Sequence, residues 1–513
     1  VPAPIRRFPL PGWWDPAFVY LTLHRSSSHS FWLDAGVAAE DGFSYLGAAD
    51  AASRFVTASV PDGTITVTYP WTGPGAEAVT VPETIFEFLR EDLAAAERGG
   101  SDEDPGDDFA PADDAVETDA APESGFRLGW VGWLGYELGA QTVGAPVHDS
   151  RYPDAALLQV DRAIEFDHAA RTVTLLARTG AGPNEQWAAD VLAALRAAAE
   201  ASGSPAPAPA ASGVRVDAPG APSAHWRHDA GRYDALIRRC QASITSGDAY
   251  QLCLTTEIRV AVHPDPVDAY LRLRAGSPSH HGGLLRFGDT ALLSASPEQF
   301  LAVSRSGRVS TRPIKGTRPR STGIARDLAL RTELETSDKE RAENLMIVDL
   351  MRNDLGRIAE LGSVAVTQLL DVESYAHVHQ LVSTVEARLA AGLTGVDAVE
   401  SCFPAGSMTG VPKPSAMGIL DRLEDGPRGI YSGAFGYFGF DGAVDLAMVI
   451  RSIVIGPDGA SVGTGGGITA LSDPAEEIEE TRIKAAALLD VLGATETQPA
   501  TPPATPAGQG LVT

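Results

Sequence analysis

Pro313-Ile-Lys-Gly-Thr317 is the stretch on which the reading of this chain turns. A short extended run, Arg308 to Arg312, precedes it and a Gly-Thr turn closes it, so the Lys315 amine sits at a strand end from which it can project into a cleft. A free lysine has a pKa near 10.4, and about one in 2,500 is neutral at pH 7. A nucleophilic role therefore calls for desolvation or neighbouring cations that lower this value. A lone lysine of this kind is ordinarily a solvated surface residue, and only its neighbours in sequence can decide between the two.

Outward from Lys315, two stretches with helical patterning carry carboxylates three residues apart, which places each pair on one face. The first pair is Glu340 and Glu343, within Lys339 to Arg352; the second is Glu477 and Glu480, within Pro474 to Val491. Asp473 reads as the cap of the second helix, with Pro474 in its first turn and Glu476 completing a capping box. Converging carboxylates suit Mg2+, a hard octahedral ion that takes one or two protein ligands and completes its shell with water or substrate oxygens. The same spacing also describes a solvated helix face. Gly465-Gly-Gly467 stands just before the second helix and reads as a loop that presents backbone N–H groups to an anion, or as an ordinary turn. Gly406-Ser-Met-Thr-Gly-Val-Pro-Lys413 is another glycine-punctuated loop ahead of a helix, but its spacing is not that of a Walker motif. Arg451 lies in the apolar run Leu446 to Ile455, read as part of one strand from Val444 to Ile455. A guanidinium buried there must be paired, either with an internal carboxylate or, bidentately, with a substrate carboxylate. Tyr431 is placed to offer its hydroxyl to the same group.

The chain has 513 residues, enough for two or three ordinary domains or one large one. Its apolar fraction of 44% and charged fraction of 21% are those of a folded globular protein. A net charge of -27 argues against nucleic acid or an anionic membrane as a partner. An anionic substrate then needs a local cation or metal. No apolar run of about eighteen residues occurs, and Val1 to Trp14 has prolines where a signal peptide has its apolar stretch. The expected location is cytoplasmic. Cys240, Cys253 and Cys402 show no paired spacing and read as reduced thiols packed as small hydrophobes.

Residues 1–97 read mostly as strands, including Phe18 to Leu23, Arg54 to Val60 and Thr64 to Tyr69, with a helix from Thr84 to Glu97. Residues 101–123 hold ten acidic and no basic side chains and read as a disordered insertion in the amino-terminal portion, 1–201. Gly129-Trp-Val-Gly-Trp-Leu-Gly-Tyr136 alternates glycine with large aromatics, a sign of close backbone approach. Residues 202–224 have a linker's composition, 225–492 form one large unit with no comparable break, and 493–513 read as a disordered tail.

These residues together resemble the chorismate-utilising enzymes. The resemblance rests on Pro313 to Thr317, Glu343 with Val348-Asp-Leu-Met-Arg-Asn-Asp354, Leu381-Val-Ser383, Gly406 to Gly410 with Pro412-Lys413, Gly433-Ala-Phe-Gly-Tyr437 and Gly465 to Ile468. It covers residues 225–492 with high specificity. Gly247-Asp248, Tyr250-Gln251 and Ser296-Pro-Glu298 belong to the same pattern, and Phe43 to Gly47 and Val131 to Tyr136 match the family's amino-terminal portion. The implied fold is α+β, two antiparallel sheets packed face to face with helices outside and the site between the two halves of the chain.

The resemblance also implies roles. Members that make anthranilate carry alanine at position 315; those that make aminodeoxychorismate carry a lysine proposed to attack ring carbon 2 before ammonia adds at carbon 4; isochorismate and salicylate synthases use the lysine as a base for water. Pro-Ile-Lys-Gly-Thr with Leu381-Val-Ser-Thr384 is similar to the aminodeoxychorismate group. On that basis Glu343 and Glu480 hold Mg2+ directly and Glu340 and Glu477 assist through water. The ring carboxylate of chorismate meets the ion and the N–H groups of Gly466 and Gly467. Tyr431 and Arg451 hold the enolpyruvyl carboxylate, Thr317 joins the substrate contacts, and Ser407 lies near the departing or arriving group. His379 is carried as a candidate acid because the family's histidine stands directly before Leu-Val-Ser; here Gln380 has that place, and neighbours on a strand point to opposite faces. Ser415 stands where an arginine is usual. No cysteine sits in a Gly-x-Cys-x-Gly elbow and no glutaminase-sized stretch is left over, so ammonia is expected from a separate glutamine amidotransferase subunit. The alternatives are an isochorismate- or anthranilate-type enzyme, or a non-catalytic regulator of a glutaminase; Lys315, Glu343, Glu480 and Arg451 argue against the last.

Overall fold

The computed structural model describes residues 4–37, 39–70, 78–99, 125–180, 182–202, 222–375 and 378–496. The acidic stretch 101–123, most of the 202–224 linker and most of the 493–513 tail lie outside these. Two large sheets organise the described residues. The first, of 13 strands, runs from Ile5–Pro9 through Thr172–Arg178, Arg162–Asp167, Phe43–Ala48 and His29–Asp34 into His281–Phe287, and on through Thr290–Ser296, Ser452–Gly456, Gly459–Ile468 and Gln251–Val260. The second, of 12 strands, runs from Ile314–Pro319 through Val378–Arg388, Arg308–Thr311, Gln299–Val303, Val444–Met448 and Ala434–Gly439 into Gly129–Leu134, Ala155–Val160, Phe55–Ser59, Thr64–Thr68 and Val79–Val81. Each sheet thus takes strands from both sides of the 202–224 stretch. The seams are antiparallel ladders, His281–Phe287 with His29–Asp34 and Ala434–Gly439 with Gly129–Leu134.

Side-chain alternation builds the layers. On Gly129–Leu134, Val131 and Trp133 face the other sheet, where Trp133 stacks on Phe287 at 5.1 Å. Trp130 and Leu134 face outward, against the helices Ile85–Gly99, Asp338–Gly356 and Gly395–Cys402. The outer face of the first sheet is covered by Pro16–Leu23, Asn184–Ser202, Pro266–Gly276 and Pro474–Val491. This is the α+β sandwich with helices outside. At Gly132 a Cβ would collide with the Ala156 carbonyl of the adjoining strand, which explains the glycines between the aromatics.

Three elements differ from the sequence reading, and so does the Gly-Thr turn expected after Lys315, which lies inside the strand Ile314–Pro319. Phe18 to Leu23 is the body of a helix, Pro16–Leu23, opened by Asp15, whose carboxylate accepts from Phe18 N at 3.0 Å. Its residues are buried almost all round, so apolarity had no period to betray, and the Asp-Pro start outweighed β propensity. Val444 to Ile455 is two strands in two different sheets, Val444–Met448 and Ser452–Gly456, and Arg451, at φ 51°, is the corner between them. Gly465 to Gly467 is not a loop: it is the end of the strand Gly459–Ile468, paired with Cys253 to Thr255. Cys240, Cys253 and Cys402 are free and buried. No described helix is long and apolar enough to cross a membrane.

Candidate active site

Lys315 reaches the site because its strand is bulged. In the ladder with Val378–Arg388, Lys315 pairs with Leu381 and Thr317 with Gln380, leaving Gly316 as the extra residue at φ 74°. The Lys315 side chain opens into a cavity of about 620 Å3, with Thr317 at its rim. Both carboxylate helices turn their pairs into the same cavity. Ser337 caps Asp338–Gly356, accepting from Glu340 N at 3.4 Å, and Asp473 caps Pro474–Val491, accepting from Ala475 N at 2.8 Å and Glu476 N at 3.2 Å. With the starts fixed, Glu340, Glu343, Glu477 and Glu480 all line the cavity.

Glu343 is buried, and its Oε1 has no hydrogen-bond partner. Burial pushes its carboxyl up to about 6, against the pull of Lys315 and Lys339. Glu477 accepts from Lys339 Nζ at 3.2 Å and Glu480 pairs with Lys484 Nζ at 2.7 Å, while Arg318 lies 3.5 Å from Glu340. At Lys315, burial works to lower the pKa, but Glu343, Glu298 and Glu480 prevail and hold it above the ordinary lysine value. The protein charges alone thus favour the ammonium, the opposite of what nucleophilic attack requires.

The glycine strand borders the cavity with little room to spare. A Cβ on Gly466 would come within 3.1 Å of Glu477 Oε2, and one on Gly467 would strike Gln251, whose Oε1 is also without a partner. The four glutamates bring carboxylate oxygens to this cavity, one of them buried and unpartnered among the described residues, which fits a hard divalent cation. Among the described residues no three His, Cys, Asp or Glu side chains stand close enough to cage a metal by themselves.

At the far end are Tyr431 and Arg451. The corner at Arg451 is held by its carbonyl, which accepts from Ala295 N at 3.1 Å. Its guanidinium is open to the cavity and has no ion-pair partner among the described residues, so the structural pairing that the sequence left open is not found. Tyr431 lies over Gly463, where any side chain would overlap its ring. Ser407 is buried in the turn Gly406–Met408.

His379 does not line this cavity; Gln380 does. The His379 ring is buried on the opposite face of the strand, with Nδ1 at 2.8 Å from Ser374 Oγ and Nε2 at 3.1 Å from Asp327. Lys413 is equally removed: its ammonium is buried, donating to Asp354 at 2.7 Å and to the Cys402 carbonyl at 2.8 Å. Ser415 Oγ donates to the Asp248 carbonyl at 2.6 Å.

Sequence reasoning missed Glu298, Arg318, Lys339 and Lys484 as cavity residues. Glu298 carried the best signal, an acidic residue in a Ser-Pro-Glu break between two strands. It is buried, its carboxyl is raised to about 6 by that burial, and its carboxylate interacts with Lys315 and with the Ser407 side chain. A second cavity, of about 630 Å3, shares Pro297 and Ile314 as its wall with the first.

The family model described as chorismate binding enzyme matches residues 79–490. An aminodeoxychorismate synthase of Streptomyces griseus is 44% identical, over 94% of this chain and 63% of that protein. The anthranilate synthase component 1 of Haloferax volcanii is 34% identical, over 93% of this chain and 91% of that one. The crystal structure of anthranilate synthase component I from Streptococcus pneumoniae superposes with a TM-score of 0.68 at 26% identity, covering 88% of this chain and 92% of that one. MenF, the menaquinone-specific isochorismate synthase of Escherichia coli, shares the fold, with a TM-score of 0.63 at 17% identity over 96% of both chains. This chain spans just under two thirds of the length of the two aminodeoxychorismate synthases of Streptomyces that it matches. By family model, sequence identity and fold alike, the chain belongs to the chorismate-binding enzymes.

Proposed function

We propose that the chain converts chorismate and ammonia to 4-amino-4-deoxychorismate, with ammonia delivered by a separate glutamine amidotransferase subunit, in a soluble, cytoplasmic setting that serves 4-aminobenzoate and folate or a specialised aromatic product. The observation that carries this reading is Lys315 on a bulge in the cavity that also holds the four glutamates and Arg451. Identity with relatives named aminodeoxychorismate synthase supports the choice within the family.

Glu343 and Glu480 are the residues to hold Mg2+, with Glu340 and Glu477 acting through water; the ion, when bound, neutralises the ring carboxylate. Gly466 and Gly467 approach that carboxylate with backbone N–H groups. Arg451, with the Tyr431 hydroxyl, grips the enolpyruvyl carboxylate and fixes ring carbon 2 against Lys315. Glu298 takes the proton that the Lys315 ammonium must lose, a task its raised pKa suits. The freed amine forms a bond to carbon 2, both ring double bonds shift one place around the ring away from carbon 2, and the carbon 4 hydroxyl departs as water with the proton that Glu298 returns, with Ser407 beside it. Ammonia then adds at carbon 4, both double bonds shift back, and the bond from carbon 2 to the lysine breaks, releasing its amine. Splitting one displacement into two allylic steps is the gain from the covalent lysine.

Product analysis with chorismate, Mg2+ and excess ammonium tests the reading. Wild type is expected to yield 4-amino-4-deoxychorismate, and Lys315→Ala to lose it, with residual amination shifted to carbon 2. Isochorismate from wild type, independent of ammonium, would overturn the assignment and make Lys315 a base for water.

A further inference from the structure

Ten charged side chains line the cavity around Lys315, and they divide evenly by sign. Glu298, Glu340, Glu343, Glu477 and Glu480 stand against Lys315, Arg318, Lys339, Arg451 and Lys484. Chorismate brings two carboxylates, so a divalent cation entering with it leaves the balance unchanged, whereas either one alone leaves two charges uncompensated in a partly desolvated site.

Two lysines with no part in the reaction above each sit on a carboxylate of the metal set, and they are held differently. Lys484 is tied twice, to Glu480 at 2.7 Å and to the Gly465 carbonyl at 2.8 Å. Lys339 has one bond, to Glu477 at 3.2 Å. The Glu477 side chain is 3% exposed while that of Lys339 is 45% exposed. A carboxylate so buried cannot be left without a cation, but a lysine so exposed returns to water at little cost. Glu343 Oε1, buried and unpartnered in the same cavity, marks where a cation is still wanted.

We propose that Lys339 is a displaceable counter-ion: it neutralises Glu477 whenever no divalent cation is bound and swings into solvent when one enters. This rests on reading the four glutamates as the Mg2+ set. The lysine then competes with the metal for Glu477. It keeps the affinity of the substrate-free protein for divalent cations low and ties their entry to arrival of the dianionic substrate, whose charge pays the balance. Lys339 is a positioning residue and touches no reacting atom.

The test is a titration of the full chain, without substrate, with Mn2+, reading free Mn2+ by electron paramagnetic resonance and competing with Mg2+. Lys339→Met is expected to bind Mn2+ about three- to tenfold more tightly than wild type, since a repelling charge is gone. Lys339→Gln, which keeps a polar head at this half-exposed position, carries the same expectation, and Lys339→Arg stays within about twofold of wild type because the counter-ion is retained. The melting temperature of Lys339→Met should also rise more on adding Mn2+ than that of wild type. Equal or weaker binding by both neutral variants, each giving a cooperative melt, overturns the inference alone, provided Glu343→Gln abolishes binding. No binding by wild type and by both neutral variants alike, or binding that survives Glu343→Gln, overturns the metal reading on which it rests.

Discussion

Lys315 and Thr317, two residues apart in sequence, oppose consecutive residues of the neighbouring strand, Leu381 and Gln380, and the residue between them is pushed out of the ladder. Gly316 absorbs this at φ 74°, and a Cβ there would come within 2.6 Å of Leu334 Cδ1 and 2.8 Å of Glu340 Cδ. Gly316→Ala is therefore expected to cost about 1–2 kcal/mol in backbone strain and to swing Lys315 off its line of attack. Steady-state kinetics should show kcat reduced at least about tenfold, with a smaller change in KM. An unchanged kcat would mean that the bulge does not aim the lysine.

The ion pair between Lys413 and Asp354 joins the start of the helix Lys413–Glu424 to the helix Asp338–Gly356, with each side chain 4% exposed. Removing Lys413 leaves the buried Asp354 carboxylate only the half-exposed Arg357, at 3.3 Å, as a counter-charge. Lys413→Met should lower stability by about 3 kcal/mol in urea denaturation, and Lys413→Met with Asp354→Leu should recover part of the loss. A single variant as stable as wild type would show that the pair is solvated in solution.

Glu137 is buried, and burial pushes its carboxyl up to about 7 from an ordinary value of 4.5. Between those values the unfolded chain has released its proton and the folded chain has not, so the free energy of unfolding falls as pH rises through this window and levels off above it. Glu137→Gln keeps an oxygen for the Arg428 N–H now bonded at 2.8 Å and removes the titration. Its stability relative to wild type should improve by about 2 kcal/mol from pH 5 to pH 8. Thermal melts at both pH values check this; a constant difference would mean that Glu137 is already ionised at the lower pH.

Among the described residues Arg451 has no ion-pair partner, which leaves its guanidinium available to a substrate carboxylate. Arg451→Lys retains the charge but not the bidentate fork, and KM for chorismate should rise about tenfold to a hundredfold. The melting temperature should move little. A large loss of stability with KM unchanged would return Arg451 to a structural role.

What the sequence determined by itself was the set of chemical groups and most of the local structure. The cap at Asp473, the three-residue carboxylate spacing and the Pro-Ile-Lys-Gly-Thr stretch are short-range patterns, and the start of the helix Pro474–Val491 follows from its Asp-Pro cap. Tertiary structure decided whatever depends on which backbone lies alongside. A run as apolar as Val444 to Ile455 carries no local mark of passing from one sheet to another, and only the two neighbouring strands split it at Arg451. The triple glycine looked like a loop because its reason for lacking side chains, the closeness of Glu477 and Gln251, comes from elements far away in the chain. His379 and Gln380 differ only in which face of their strand meets the cavity, and the bulge at Gly316 lies across from them. The counter-ions Lys339 and Lys484 could not be told from solvated lysines, since a charge acquires its partner only when the two carboxylate helices are brought together over one cavity.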